Sequence, residues 1–310
     1  MEVLIRSEVW SASLKEALTD DLMATRYVDW LSGFPDGDTF TIPSIGDATV
    51  RNYAEDTPIV YDALDTGEFQ FQISTYLSAG NYITEKARQD AFYAAQLESR
   101  FVPKQRRAIM EKVETDILAL AAGGASGGQT ASNTNQINGA DHRWVASGTS
   151  EVMAVQDFAK ALFSLKKANV PDRNLIAIVD PSVEYTLNTL TNLTNVSNNP
   201  RWEGIITSGI ASGMRFVKNV YGFDVYTSNY LATANETISA KSTTAGKANL
   251  FFSADSSVLP FVGAWRQMPK VDGEYNKDFQ REEYVTTCRY GLKVYRPENL
   301  VVVLSDTDQV

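Results

Sequence analysis

One cysteine and one histidine stand in 310 residues. No disulfide can form within the chain, and zinc sites of the usual four-ligand thiolate–imidazole kind are excluded. No apolar run approaches the ~18–20 residues that cross a bilayer, so no membrane partner is expected. The opening Met1-Glu2-Val3-Leu4 lacks the basic-then-apolar order of a secretory signal. The sequons at Asn192, Asn195 and Asn235 therefore carry no expectation of glycosylation. Positive charge is also scarce: 28 Lys and Arg face 38 Asp and Glu, a net charge of −10. Such a chain is poorly suited to gripping nucleic acid through phosphates, though not to enclosing it.

The sharpest absence is local. From Asp36 to Thr84 there is no lysine and a single Arg51, against eight carboxylates (Asp36, Asp38, Asp47, Glu55, Asp56, Asp62, Asp65 and Glu68). The clearest strand there is Glu68-Phe-Gln-Phe-Gln-Ile-Ser-Thr-Tyr-Leu77. Its period of two puts Phe69, Phe71, Ile73 and Leu77 on one face and Glu68, Gln70, Gln72 and Ser74 on the other. Phe40 and Ile42 repeat the pattern on the outgoing side, with Pro43 and Gly46 fitting an edge or a bend. The segment reads as an acidic hairpin with almost no core of its own. A two-stranded ribbon is marginal in water unless something covers one face. We read residues 36–84 as an arm built for assembly, covered by another copy of the chain.

Other segments are more conventional. In residues 1–35, Trp10, Leu14, Leu18, Leu22, Val28 and Leu31 recur at helical spacing up to the breakers Gly33-Phe-Pro-Asp-Gly37. This stretch is either a peripheral helix on its own domain or an arm on a neighbour. Thr84 can cap a helix, and Ala87, Ala91, Ala94, Ala95, Ile109, Val113, Ile117 and Leu120 predict one long helix over 85–122. Pro103 is expected to kink or split it near Val102. The basic cluster Lys104, Arg106 and Arg107 is either a solvated face or a salt-bridge surface for an acidic arm. Residues 123–150 read as a flexible connection. Beyond them, Val155, Phe158, Leu162 and Leu165 predict a helix, Leu175–Val179 a buried strand, and Asp180-Pro181 the start of another helix. Strands are expected at 215–220, 224–228, 250–253, 284–295 and 300–304.

A search for chemistry finds little. Gly123-Gly-Ala-Ser-Gly-Gly128 has no following Gly-Lys-Ser/Thr and no preceding strand, so it fails as a phosphate loop. A Ser-His-Asp triad would need His142, which reads as an ordinary surface residue, and no nucleophile elbow is present. Cys288 lies in an alternating strand, as a buried or half-buried small residue. Asp20-Asp21 and Glu55-Asp56 lack metal-loop spacing. The aromatics Trp202, Tyr221, Phe223 and Tyr226 read as core. No enzyme, cofactor or metal site is expected.

The order arm, extended hairpin, long helix, Gly-rich joint, α/β domain and returning strands resembles the major capsid protein of tailed bacteriophages, the Hong Kong 97-type fold. Local phrases carry the likeness: Ala161–Pro171 with Leu175–Tyr185, Asn219–Asn229, and Tyr290-Gly-Leu-Lys-Val-Tyr-Arg-Pro-Glu-Asn-Leu-Val302. The resemblance implies an α+β fold with residues 1–35 as N-terminal arm and 36–84 as the E-loop. It makes 85–150 with 265–310 the peripheral domain (spine helix 85–122), and 151–264 the axial domain. It implies hexamers and pentamers of itself closing an icosahedral shell around double-stranded DNA, assembled in the host bacterial cytoplasm. Relatives that crosslink their shells use an E-loop lysine, which this chain lacks. A separate scaffolding protein, a portal and a cement or decoration protein are the further partners implied. Candidate contacts between subunits are Arg51, Glu55, Asp56, Phe69, Phe71, Lys104, Arg106 and Arg107, with Arg51 or an E-loop carboxylate pairing across subunits. The alternatives are an encapsulin-type compartment, marked by protein cargo, and a soluble carboxylate enzyme, marked by a stable monomer.

Overall fold

The computed structural model describes residues 22–32, 39–45, 66–90, 94–124, 127–189 and 219–306, with scattered positions between 50 and 61. Two sheets and one long helix organise the chain. The four-stranded sheet has the order β1–β12–β13–β4, from β1 (Val28–Leu31), β12 (Phe261–Asn276), β13 (Arg281–Val294) and β4 (Thr75–Thr84). The six-stranded sheet has the order β5–β14–β11–β6–β8–β7. Its strands are β5 (Arg143–Val145), β14 (Val301–Asp306), β11 (Gly246–Ser253), β6 (Leu175–Val179), β8 (Phe223–Thr227) and β7 (Asn219–Val220). A small pair, β9 (Thr237–Ile238) with β10 (Lys241–Ser242), lies beside it, and β2 (Thr39–Ile45) with β3 (Thr66–Gln72) forms the expected hairpin.

The centre of the six-stranded sheet is buried on both faces, which is why β6 is apolar at every position and β14 through Leu304 rather than alternating. Val301, Val303 and Phe251 face a core built with α3 (Val155–Lys167) and α4 (Pro181–Thr189), through Phe158, Leu165, Val183 and Leu187. Val302, Leu304, Leu250 and Phe252 face a second core. That core contains Ile109, Val113 and Ile117 of α2 (Ala94–Ala119) together with Phe261, Cys288 and Tyr290 of the other sheet. One helix stripe thus joins the two sheets.

Several expectations change. The helix expected over 85–122 is assigned as α1 (Glu85–Asp90), capped by Thr84 Oγ1 accepting from Ala87 N–H at 3.3 Å, and α2. Residues 91–93 lie outside the described set. The split near Val102 does not occur; α2 continues through Pro103. Proline still forfeits one backbone bond, but tertiary anchoring begins two residues later. Gln105, buried, donates to the Tyr284 carbonyl at 3.1 Å and accepts from Thr286 Oγ1 at 2.9 Å. Val28 and Leu31 are in a strand, not a helix. They pair in parallel with Phe261–Ala264, and their β-branched and aromatic context suits that edge. Trp10, Leu14 and Leu18 lie outside the described residues.

The strand expected over 68–77 breaks after Gln72 and resumes at Thr75, passing from the hairpin to the four-stranded sheet. Residues 123–150, read as a flexible connection, include β5 and buried Gln129, His142 and Arg143. The boundary placed at 264/265 cuts through β12, and β14 sits in the six-stranded sheet with β6 and β11. Long-range pairing, invisible in local spacing, decides both. The strand expected at 215–220 is described only at Asn219–Val220.

Candidate assembly surfaces

The hairpin is anchored at its base. Phe71 is 4% exposed and packs with Ile73 and Ala264. Phe69 meets Tyr295 edge-on at 5.0 Å, with Lys293 Nζ 4.6 Å from its ring centre. Lys293 Nζ also donates to the Gln70 carbonyl at 2.6 Å. At Gly291 the chain passes so close that a Cβ would lie 2.7 Å from the Gln72 carbonyl oxygen. The apolar face read as open to a neighbour is therefore covered, at Phe69 and Phe71, by the chain's own body. The expectation of almost no core fails here because Ala264 of β12, Leu31 of β1 and Tyr295 after β13 supply one.

A few described residues beyond the base are exposed. Arg51, Glu55 and Asp56 are all exposed, and Asp56 takes a left-handed φ of 64° in a turn with Glu55. Val50 is 95% exposed and Tyr61 87%. The basic cluster divides. Lys104 and Arg106 are exposed on α2, whereas Arg107 bonds Glu111 at 3.0 Å, one helical turn on. That bond, with Tyr230 alongside, holds the Arg107 guanidinium above its ordinary pKa.

Sequence reading missed the polar groups that fix the joint after α2. Arg143, on β5, is wholly buried and donates from Nη2 to Glu236 Oε1 at 2.7 Å and from Nε to Oε2 at 3.3 Å. Its Nη1 donates to the carbonyl of Ala121 at the helix end. Glu236 also accepts backbone N–H from Gly123 at 3.0 Å and Ser132 at 2.9 Å. Burial alone would raise the Glu236 pKa; Arg143 and those N–H groups outweigh it and hold it below the ordinary value. Glu114, also buried, accepts from the Met23 and Ala24 N–H groups at 2.9 and 2.7 Å and ties the incoming chain to α2. The one available signal was a charged residue, Arg143, inside a Gly- and Asn-rich stretch with apolar neighbours.

His142, read as a surface residue, is buried, with Nδ1 3.0 Å from the Ala140 carbonyl and Nε2 without a hydrogen-bond partner. Burial pushes its pKa down. Cys288 is buried, and burial pushes its thiol pKa up. Phe223 is core as expected, but Tyr221, in the turn before β8, and Tyr226, on β8, are exposed, and Trp202 lies outside the described residues. Among the described residues no three His, Cys, Asp or Glu side chains gather as a metal site, and no helix is long and apolar enough to cross a membrane.

The described residues form a two-sheet body with a hairpin anchored at its root. Solved structures share the fold. Mycobacterium phage Che8 aligns with a TM-score of 0.70 at 18% identity, covering 98% of each chain. The capsid of cyanophage P-SCSP1u gives 0.70 at 16% identity, over 97% of this chain and 93% of that one. The mature capsid of bacteriophage PhiM1 gives 0.69 at 11%, over 99% and 93%. These likenesses bear out the expected α+β capsid fold. No curated protein matches the chain by sequence. Residues 46–303 match the family described as phage capsid protein. The chain belongs to that family and is a structural subunit of a phage capsid shell.

Proposed function

We propose that this subunit closes an icosahedral head of hexamers and pentamers around double-stranded DNA, with the 36–84 hairpin as its lapping arm. One observation carries the reading: β2 and β3 are fixed at their base by Phe69, Phe71 and Lys293, while Val50 and Tyr61 beyond them are almost fully exposed. An arm rigid at its root and apolar toward its tip loses little freedom when a neighbour covers the tip. Many modest contacts then close together, and permanent interfaces of this kind bury about 2,000–5,000 Å². Without a lysine between 36 and 84, cohesion comes from packing and ion pairs. Assembly in the host bacterial cytoplasm, a separate scaffolding protein, a portal and a cement protein complete the proposal.

Negative-stain microscopy of the purified protein tests it, beside a variant lacking residues 44–66. The full chain should give closed particles, and the deletion a folded subunit that gives none. Normal particles from the deletion variant would end the arm's role. Protein cargo in place of DNA inside native particles would end the viral-head reading.

A further inference from the structure

The sequence holds a single Asn-Gly pair, Asn138-Gly139, and the fold places it in a two-residue turn. Ile137 and Ala140 exchange both backbone hydrogen bonds at 2.9 Å. Between them Asn138 and Gly139 take left-handed φ angles of 50° and 78°, the mirror-image turn that Asn-Gly favours. Both residues are exposed, and a Cβ on Gly139 would meet nothing within 4 Å. The Asn138 carboxamide donates from Nδ2 to the carbonyl of Lys167, the last residue of α3, at 3.1 Å. Among the described residues the Gly139 N–H donates to no acceptor. An exposed amide carbon therefore stands one residue before an unshielded backbone nitrogen.

We propose that Asn138 is a site of self-modification, where local opening of the turn lets the side chain cyclise onto the Gly139 nitrogen and convert to aspartate and isoaspartate. The Gly139 nitrogen gives its proton to hydroxide and attacks Asn138 Cγ. The N–Cγ bond forms, the Cγ–Nδ2 bond breaks, and Nδ2 takes a proton from water and leaves as ammonia, returning the hydroxide. A water molecule then opens the cyclic imide at either carbonyl. A side chain on the following residue hinders this attack, so Asn133-Thr134 and Asn135-Gln136 in the same segment are poorer sites. Asp272-Gly273 is held in the β12–β13 ladder, opposite Val285 and Tyr284. Either product loses the donor to Lys167 and sets a carboxylate against the negative end of α3. Isoaspartate also adds a methylene to the backbone of a turn that the Ile137–Ala140 bridge closes with two residues. The Ala140 carbonyl lies 3.0 Å from His142 Nδ1, so the change reaches the buried groups at the start of β5.

The test is to age the folded, full-length protein in mildly alkaline buffer and map it by mass spectrometry. Trypsin releases residues 113–143 as one peptide, and an unaged sample digested in parallel sets the background. Fragmentation should place the amide-to-acid mass gain at Asn138. Protein isoaspartyl methyltransferase should methylate the aged protein without any digestion. The rate should rise in proportion to hydroxide concentration, and Asn138→Gln should lose both signals. Conversion no greater than the background overturns the proposal. So does conversion spread evenly over Asn133, Asn135 and Asn138, or conversion seen in urea-unfolded protein and absent from the folded one. Asn138→Asp, which makes one product directly, should lower the denaturation midpoint. An unchanged midpoint overturns the link from the turn to α3.

Discussion

Arg143 and Glu236, 93 residues apart, form an ion pair of 2.7 Å inside the protein, where the end of α2, the 123–135 segment and β5 meet. Desolvation makes such a pair a weak source of net stability, but breaking it strands a charge. Glu236→Ala should therefore cost about 3–5 kcal/mol in chemical denaturation. Replacing both residues by leucine should recover much of that loss. A single substitution without effect would mean that water reaches the joint.

Acid should weaken the protein in two windows. His142 has a folded pKa below its ordinary 6.5, so the folded state favours the neutral ring. Its contribution is complete above pH 6.5 and is lost as pH falls below that value. Glu236 has a folded pKa below its ordinary 4.5, so its contribution is complete above 4.5 and is lost as pH falls through the depressed value. Denaturation midpoints measured down from pH 7 should decline first with His142. In His142→Gln the decline that begins below pH 6.5 should flatten, while the Glu236 window remains.

Gly291 sets how closely β13 passes the hairpin root. An alanine Cβ would meet the Gln72 carbonyl oxygen at 2.7 Å and Ile73 Cα at 3.0 Å, both backbone atoms that cannot swing aside. Gly291→Ala should cost about 1–3 kcal/mol and loosen the arm. Limited proteolysis should then cut near residues 36–74 faster than in the native chain.

Tyr290 donates to Asp116 Oδ2 at 2.6 Å and holds the last turns of α2 against β13. Burial, then that hydrogen bond, raises the phenol pKa far above its ordinary value. Tyr290→Phe keeps the ring and removes the donor. The expected loss is about 1.5–3 kcal/mol, read as a shift in denaturation midpoint without change in its slope.

Where periodicity was local, the sequence was transparent. Val155, Phe158, Leu162 and Leu165 lie in α3, and the apolar run 175–179 is β6 to the residue. Where the deciding partner lay far along the chain, local spacing misled. Val28 and Leu31 sit at helical intervals, yet Phe261–Ala264 offers them a strand edge. Alternation through Ile73 hid the step from hairpin to sheet, because side-chain phase survives a change of pairing partner. The 123–150 segment is polar because its groups satisfy one another, and composition cannot distinguish that from solvation. The hairpin's charge was legible at once, but its anchored root was not, since Tyr295 and Lys293 lie more than 220 residues beyond β3's partners.

The order of the six-stranded sheet has a consequence for synthesis. β5 has a single neighbour, β14, and β14 also flanks β11. Nothing can zip β5 into place until the ribosome has delivered about 160 further residues, on the order of 10–30 s of elongation. Until then the strand and the buried groups beside it, His142 and Arg143, have no finished environment. The six-stranded sheet can therefore be completed only once β14 has been synthesised.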